Sequence, residues 1–316
     1  YESTLVSEMD KEDAPTLFQC NEGGVATWGE FCYDLSSSDV YNQLTSKDYA
    51  LKNADGEVIS IGYCLETYGI IVNKALLKEA GYEFTDITKS ESLKKIADDI
   101  HSRAAELGFD AFSSAGLDSS SSWRFSGHLA NMPLFYEFRD DGVTAQPATI
   151  TGAYLENFKN IWDLYTTDSA TTAAALATAT GDESEAEFGE GKAAFYQNGT
   201  WEYSNLTGTF GMDPADLAMI PIYCGVDGEE KAGLCAGTEN CWAINNESSE
   251  EDIQATIDFL VWVVTSDEGT TMLAEEFGPC PFKDAKDPEN VFFQDANKYT
   301  ADGKYVVTWA FNWTPA

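Results

Sequence analysis

The segment Phe188-Gly189-Glu190-Gly191-Lys192-Ala193-Ala194-Phe195-Tyr196-Gln197-Asn198-Gly199-Thr200-Trp201 decides how this chain is interpreted. Residues Ala193 to Tyr196 form an apolar run of strand length, and a polar turn with a glycine follows it directly. The turn ends in Trp201, so a large aromatic ring is predicted at the end of a buried strand. In open α/β sheets that edge is where ligands bind.

Outward from this segment, strand-like and helix-like stretches alternate, which is typical of an α/β fold. Apolar or β-branched runs of strand length occur at 16–20, 58–61, 70–72, 109–113, 217–222 and 241–244. Apolar residues at helical spacing occur within 93–107, 154–165 and 253–264. Capping motifs at Thr88–Glu91 and Ser248–Glu251 predict where two of these helices begin. Trp162 and Trp262 fall within the predicted helices and are expected in the core.

The charge of the chain excludes several classes of partner. Its 316 residues include 18 basic and 54 acidic ones, which gives a net charge of −36. Such a surface repels phosphate backbones and anionic lipids, so no nucleic-acid partner is expected. The acidity leaves two interpretations open, a solvated surface or a site for a cationic ligand such as a polyamine.

Enzyme and metal signatures are absent from the sequence. It contains no GxSxG, GxGxxG, GxxxxGK[ST] or HExxH motif, and its seven cysteines form no CxxC pair. With two histidines in the chain, no metal site, cofactor or catalytic residue is expected. A pair of carboxylates could still hydrolyse a glycoside, so a carbohydrate-active enzyme remains an alternative. Cys224 and Cys235 flank a predicted turn and could form a disulfide.

Aromatic residues make up 13% of the chain, and several lie beside acids and amides. Sugar rings present C–H faces that stack on aromatic side chains, and their hydroxyls pair with carboxylates and amides. Both residue types meet in three predicted turns, at 19–24, 63–68 and 196–201. These turns are therefore candidates for contact with a sugar.

Four segments resemble, in order and spacing, the family of extracellular solute-binding proteins that includes the maltose- and oligosaccharide-binding proteins. The segment 188–201 resembles the family pattern FxxGKAAMxxxGxW. The segment 68–81 resembles YGxxYNKxLxxxAG, with Val72 in place of the tyrosine. Trp242-Ala243-Ile244 and Gly278-Pro279-Cys280-Pro281 follow at the family's spacing.

The resemblance implies a type II periplasmic-binding-protein-like α/β fold, with two lobes that close around a ligand by hinge motion. Mapped onto this sequence, the first lobe takes residues 1–67 and 223–281, and the second takes residues 68–222 and 282–316. All seven cysteines would then lie in the first lobe. Compared with the family pattern, the chain is expected to be clipped at both termini, with the first strand, helix and strand missing from the first lobe.

The resemblance also implies roles for individual residues. Glu66 resembles a carboxylate that accepts sugar hydroxyls near the hinge, and Trp201 resembles the stacking platform of the second lobe. Further ligand contacts are expected from two turns and from additional rings with an acceptor beside them, namely Asn21, Glu22, Thr238, Glu239, Trp123, Trp309 and Asp118.

On this resemblance the chain is the substrate-binding component of an ABC importer, and not an enzyme. It would capture a neutral oligosaccharide in an inter-lobe cleft and pass it to a membrane permease. The family implies an extracellular or cell-surface monomer, lipid-anchored through a segment outside this chain. A binding protein for a polyamine or another cation, and a carbohydrate-active enzyme, are the alternatives.

Overall fold

The computed structural model describes residues 2–113, 116–143 and 147–310. In chain order its elements are α1 (Glu2–Met9), β1 (Leu17–Gln19), α2 (Val25–Trp28), α3 (Asp39–Asn42), β2 (Ala50–Lys52), β3 (Val58–Gly62), β4 (Glu66–Asn73), α4 (Lys74–Glu79), α5 (Ser90–Ser102), α6 (Ala104–Leu107), β5 (Asp110–Ser113), a π-helix (Arg124–Leu129), α7 (Ala130–Asp141), α8 (Leu155–Thr167), α9 (Gly181–Gly189), β6 (Ala193–Gly199), α10 (Glu202–Gly208), β7 (Leu217–Ile220), β8 (Ala232–Gly237), β9 (Cys241–Ile244), α11 (Glu250–Thr265), α12 (Asp267–Glu276), α13 (Val291–Ala301) and β10 (Tyr305–Thr308). Short 3₁₀ turns connect several of them. Among these elements, no helix is both long and apolar enough to cross a bilayer.

Contacts within the chain divide it into two compact units. Of the described residues, unit 1 contains those up to 66 and 237–289, and unit 2 contains 67–236 and 290–310. Each unit is therefore assembled from segments that are distant in sequence.

Unit 1 has an antiparallel sheet with the strand order β1-β9-β3-β2. The late strand β9 lies between two early ones, with Ala243 opposite Phe18 and Trp242 opposite Ile61. Side chains alternate between the two faces of the sheet. Ile61 and Ile244 pack with α11 on one face, and Phe18, Ile59 and Ala243 pack around Trp28 on the other.

Unit 2 has a mixed sheet with the order β10-β8-β4-β6-β5, and β7 also pairs with β4. Its central strand β4 is buried from Thr67 to Asn73 because side chains cover both faces. One face packs into the cluster that contains Ile70, Phe112 and Ile161, and the other into the cluster around Phe188, Tyr196 and Phe292. Burial on both sides explains the continuous aliphatic run Ile70-Ile71-Val72 within this strand.

The units differ from the expected lobes at residue 67, which belongs to unit 2, and at two longer segments. Residues 223–236 belong to unit 2 because Ala232 and Cys235 of β8 are buried in the cluster around Ile70. Residues 282–289 belong to unit 1, where Phe282 is buried and pairs with Leu44. Cys224 and Cys235 consequently lie in unit 2, apart from the other cysteines, and they are thiols rather than a disulfide.

Three local predictions are corrected by the structure. The N-cap of α5 is Lys89 and not Thr88. The hydroxyl of Ser92 accepts hydrogen bonds from the backbone N–H groups of both residues. The cap of α11 is Ser249, one residue later than predicted. Trp262 is 49% exposed because it lies outside the stripe that α11 buries.

Candidate functional site

Three tryptophans that were predicted as ligand contacts lie in one cluster of unit 2, around His128. The ring centroids of Trp123 and Trp201 are 6.0 Å apart, and that of His128 is 4.9 Å from Trp123 and 5.8 Å from Trp201. The ring centroid of Trp309 lies 5.8 Å from that of His128. Trp123 and Trp201 are 38% and 39% exposed, so this tryptophan cluster offers ring surface to a ligand.

A π-helix places Trp123 and His128 together. Residues five apart point to different sides of an α-helix, which turns 100° per residue. The wider turn of the segment Arg124–Leu129 brings the His128 ring to Trp123, where the two rings meet edge to face at 83°. Such π-helical turns are rare and frequently occur at functional sites.

The turn after β6 fixes the position of Trp201. The indole ring lies over Gly199, and a Cβ atom at that position would be 2.2 Å from the ring atom Cη2. The turn is held by hydrogen bonds from Thr200 N to Thr67 O and from Asn290 Nδ2 to Thr200 O. A glycine is therefore required where the ring covers the backbone.

Asn131 of α7 anchors the segment that carries Trp309. Its side-chain Nδ2 donates to Thr308 O at 3.1 Å, and its Oδ1 accepts from Ala310 N at 2.7 Å. Both bonds flank Trp309, whose ring packs against Tyr68 at 5.0 Å. The half-buried Trp309 ring thus forms one wall of the tryptophan cluster.

Two ionisable side chains, Arg124 and Glu202, adjoin the cluster. Arg124 is 4% exposed, stacks on Trp123 at 4.5 Å and donates from Nη2 to Tyr196 Oη at 3.2 Å. Within the described part of the chain, its Nε and Nη1 have no hydrogen-bond partner. Burial, reinforced by the neighbouring carboxylate of Glu185, raises the pKa of Glu202 to about 8. Glu202 is therefore mostly protonated at neutral pH, which lessens the negative charge beside the rings.

Unit 1 has a hydrogen-bonded network of amides and carboxylates around Glu66. Asn240 Nδ2 donates to Glu66 Oε1 at 2.5 Å, and the backbone N–H of Glu239 donates to the same carboxylate. Gln19 Nε2 donates to Asn240 Oδ1 at 2.6 Å and to Tyr63 Oη at 3.0 Å. Because an amide oxygen only accepts, the bond from Gln19 fixes which end of Asn240 faces Glu66.

The environment of Glu66 changes its proton affinity. Burial, together with the charge of Glu239, raises the pKa of Glu66 to about 7. The carboxyl group therefore changes its charge near neutral pH. Perturbed carboxyl groups of this kind are common at functional sites.

The other predicted contacts have local structural roles. Asn21 Oδ1 caps the turn that follows β1 by accepting from Gly24 N at 3.1 Å, and Glu22 beside it is exposed. Asp118 Oδ1 accepts three hydrogen bonds, from the backbone and hydroxyl of Ser120 and the hydroxyl of Ser121. The methyl group of Thr238 packs over Gly62. Ligand contact by these residues stays a prediction.

The structure also gives roles to residues that were not among the individual ligand contacts predicted from the sequence, although Gln19 and Tyr63 lie in two of the candidate turns. In unit 1, Tyr63 stacks on Trp242 with centroids 4.5 Å apart and meets Phe277 edge to face at 5.3 Å. Phe277 is 41% exposed. Asn240 and Gln19 orient Glu66, and His128 forms the centre of the tryptophan cluster. The signals available were the aromatic Tyr63 beside Glu66 and the motif that contains Trp242, but no local pattern marks Phe277.

Exposed rings and fixed hydrogen-bonding groups, carried by two α/β units, are typical of proteins that bind small solutes. Comparison of the sequence with protein families also indicates a solute-binding protein. The profile of the bacterial extracellular solute-binding protein family matches residues 1–302, and the chain belongs to this family. The resemblance inferred from the four motifs is therefore confirmed.

Solved structures with the same fold are similar over nearly the whole chain. A family 1 extracellular solute-binding protein from Bifidobacterium longum subsp. infantis is 18% identical, with a TM-score of 0.64, and the match covers 99% of this chain and 79% of that one. RafE, a protein known from Streptococcus pneumoniae, has been solved with raffinose; it is 16% identical, with a TM-score of 0.71 and coverages of 98% and 79%. A sugar transporter from Bacillus licheniformis, solved with stachyose, is 16% identical, with a TM-score of 0.67 and coverages of 98% and 78%. These similarities confirm the expected type II binding-protein fold. A sequence search of curated proteins finds no match.

Proposed function

We propose that this protein is the substrate-binding component of an ABC importer, and that it captures a neutral oligosaccharide without converting it. The tryptophan cluster of unit 2 supplies ring faces for stacking on sugar rings. The network around Glu66 supplies carboxylate and amide groups for hydroxyls. In this role the protein acts outside the cell or at its surface, held by a lipid anchor, and passes its ligand to a membrane permease as a monomer.

The single observation that carries the proposal is the convergence of Trp123, Trp201 and Trp309 around one buried histidine. The net charge of −36 gives no reason to expect an anionic ligand. The ligands named for the similar structures, raffinose and stachyose, are neutral oligosaccharides. A sugar of that kind has apolar faces, which can stack on the tryptophan cluster, and hydroxyl groups, which can pair with the network around Glu66.

Thermal unfolding in the presence of candidate ligands tests the proposal. A neutral oligosaccharide at a hundred times its dissociation constant is expected to raise the unfolding midpoint by about 5 °C, because it binds only the native state. The panel contains raffinose, stachyose, chitin oligosaccharides, xylo-oligosaccharides, monosaccharides and a polyamine. Analysis of the sugar after incubation should show the intact oligosaccharide.

Salt dependence, the ligand that raises the midpoint and the sugar products distinguish the alternatives. Binding of a neutral sugar should change little between low and high salt, whereas binding of a polyamine should weaken strongly because salt screens charge attraction. A midpoint raised by the polyamine alone would move the ligand to the cationic class. Shortened sugar products would indicate a carbohydrate-active enzyme.

Replacing Gly199 by alanine should weaken oligosaccharide binding by roughly tenfold, or about 1.4 kcal/mol. The new methyl group would overlap the Trp201 ring and displace it. Isothermal titration calorimetry measures the change. Gly208→Ala is the matched control because a methyl group there meets open space, and it should bind as the wild type does. Equal affinities for all three proteins would show that the position of the ring does not matter.

A further inference from the structure

We propose that His128 contacts the ligand directly, by donating a hydrogen bond from Nε2–H to a carbohydrate oxygen at the tryptophan cluster. This inference rests on the proposed function, because the acceptor is an oxygen of the captured sugar. It adds a polar contact at the centre of a surface that otherwise presents aromatic faces.

The hydrogen bonds of Gln197 determine where the proton of His128 lies. Gln197 Nε2 is 2.7 Å from Nδ1 of His128 and 3.4 Å from the carbonyl oxygen of Gly69. We assign Nε2 of Gln197 to this position because the opposite orientation would turn its amide oxygen toward the carbonyl oxygen of Gly69. Among the described residues, the assigned orientation leaves Oε1 of Gln197 buried without a hydrogen-bond partner. An amide nitrogen only donates, and Nδ1 of His128 is therefore an acceptor without a proton.

The ring nevertheless keeps one proton, on Nε2. His128 is 3% exposed. Burial, and then the positive charge of Arg124, lower its pKa to about 3, so the imidazole is neutral throughout the physiological range. A neutral imidazole carries a single proton. With Nδ1 occupied as an acceptor, that proton is on Nε2.

The surroundings leave Nε2–H available for a ligand. One face of the imidazole stacks on Tyr68, with centroids 3.9 Å apart and planes 10° apart, and the three tryptophans border the ring. Among the described residues, the hydrogen-bond partner of His128 is Gln197. Trp123 and Trp201, which border the imidazole, are 38% and 39% exposed, so the proposal places the ligand oxygen where these rings reach solvent. A phenylalanine could fill this space, but only the histidine adds a donor.

Nitrogen NMR of the two histidines tests the proposal on the wild-type protein. The chain contains His101 and His128 alone, and His101 pairs with Asp110, so His101 serves as an internal control. We expect the spectrum of the ligand-free protein to show the neutral tautomer of His128 with its proton on Nε2, unchanged between pH 5 and 8. Adding the oligosaccharide that gives the largest thermal shift in the panel should move the Nε2–H resonance of His128 and leave His101 in place.

Calorimetry with His128→Phe is the second measurement. The variant keeps the stacking on Tyr68 and removes the donor, and its affinity for the same oligosaccharide should fall about tenfold. His101→Gln is the matched control and should bind as the wild type does. Deoxy analogues of the sugar identify the acceptor, because the analogue that lacks it should bind the wild type and His128→Phe equally.

Each adverse outcome has its own meaning. A proton on Nδ1 overturns the inference whether or not the variant folds. A sugar that binds without moving the His128 resonance also overturns it and leaves the proposed function standing. If no carbohydrate in the panel binds, the proposed function fails and this inference fails with it.

Discussion

Trp201→Ala is expected to weaken oligosaccharide binding by about 30- to 100-fold, which corresponds to about 2–3 kcal/mol. The ring presents a face to solvent at the cluster and is held in place by the turn around Gly199. Removing it takes away the stacking surface while Trp123 and Trp309 remain. Calorimetry with the best ligand of the panel measures the loss.

The matched control for Trp201 is Trp262→Ala. Trp262 is also about half exposed, but it lies on α11 of unit 1 and stacks only on Phe259 among the described rings. Its removal should leave the affinity unchanged, and both variants should keep a cooperative unfolding transition. If Trp201→Ala binds as tightly as the wild type, the tryptophan cluster is not the sugar-binding surface.

Glu66→Gln is expected to have opposite effects on binding and on stability. The carboxylate of Glu66 is the acceptor assigned to sugar hydroxyls, so the variant should bind about tenfold more weakly at pH 8. The affinity of the wild type should decrease as the pH falls from 8 to 5, because Glu66 takes up a proton near pH 7. Glutamine does not titrate, so the variant should lack this decrease in affinity between pH 8 and 5.

The stability effect follows from the raised pKa. In the unfolded chain a glutamate has a pKa of about 4.3, so between that value and 7 the folded protein binds more protons than the unfolded one. The stability contributed by protonated Glu66 is therefore fully present below about pH 4 and is lost as the pH rises through 7. Glutamine has no such loss. At pH 8 the variant should be more stable by about 1 kcal/mol, allowing for the partial exposure of the side chain.

Thermal unfolding at pH 5 and pH 8 measures this difference. The gain of Glu66→Gln over the wild type should be larger at pH 8. Glu275→Gln removes one exposed carboxylate from the same unit and controls for the change in net charge. A gain of the same size in Glu275→Gln would attribute the effect to total charge rather than to the burial of Glu66.

Much of the fold could be predicted from the sequence because burial leaves a repeating pattern. The strand β9 was predicted with its observed bounds, and β3, β4 and β6 were predicted from their β-branched or apolar residues. The division into units was less accurate near residue 223. That boundary depends on where the side chains of β8 are buried, and burial against a distant strand leaves no local signal.

The candidate site was predicted in part. Motifs indicated Trp201 and Glu66, but the convergence of three tryptophans on His128 depends on a π-helical turn. The segment 124–129 contains no proline, and its single glycine, Gly127, does not distinguish a π-helix from an ordinary one. The orientation of Glu66 depends on Gln19 and Asn240, which are more than 200 residues apart. Short-range patterns cannot reveal such a pair.

Because β9 lies between β1 and β3, the sheet of unit 1 cannot form fully until β9 has been synthesised. During synthesis, β1 and β3 emerge before β9, so each has an unpaired edge while unit 2 is being made. Unpaired strand edges promote aggregation. A chain that stops after residue 236 would have all of unit 2 except its last segment, yet the sheet of unit 1 would lack its centre. We therefore expect the nascent chain to depend on chaperones until residue 244 has emerged from the ribosome.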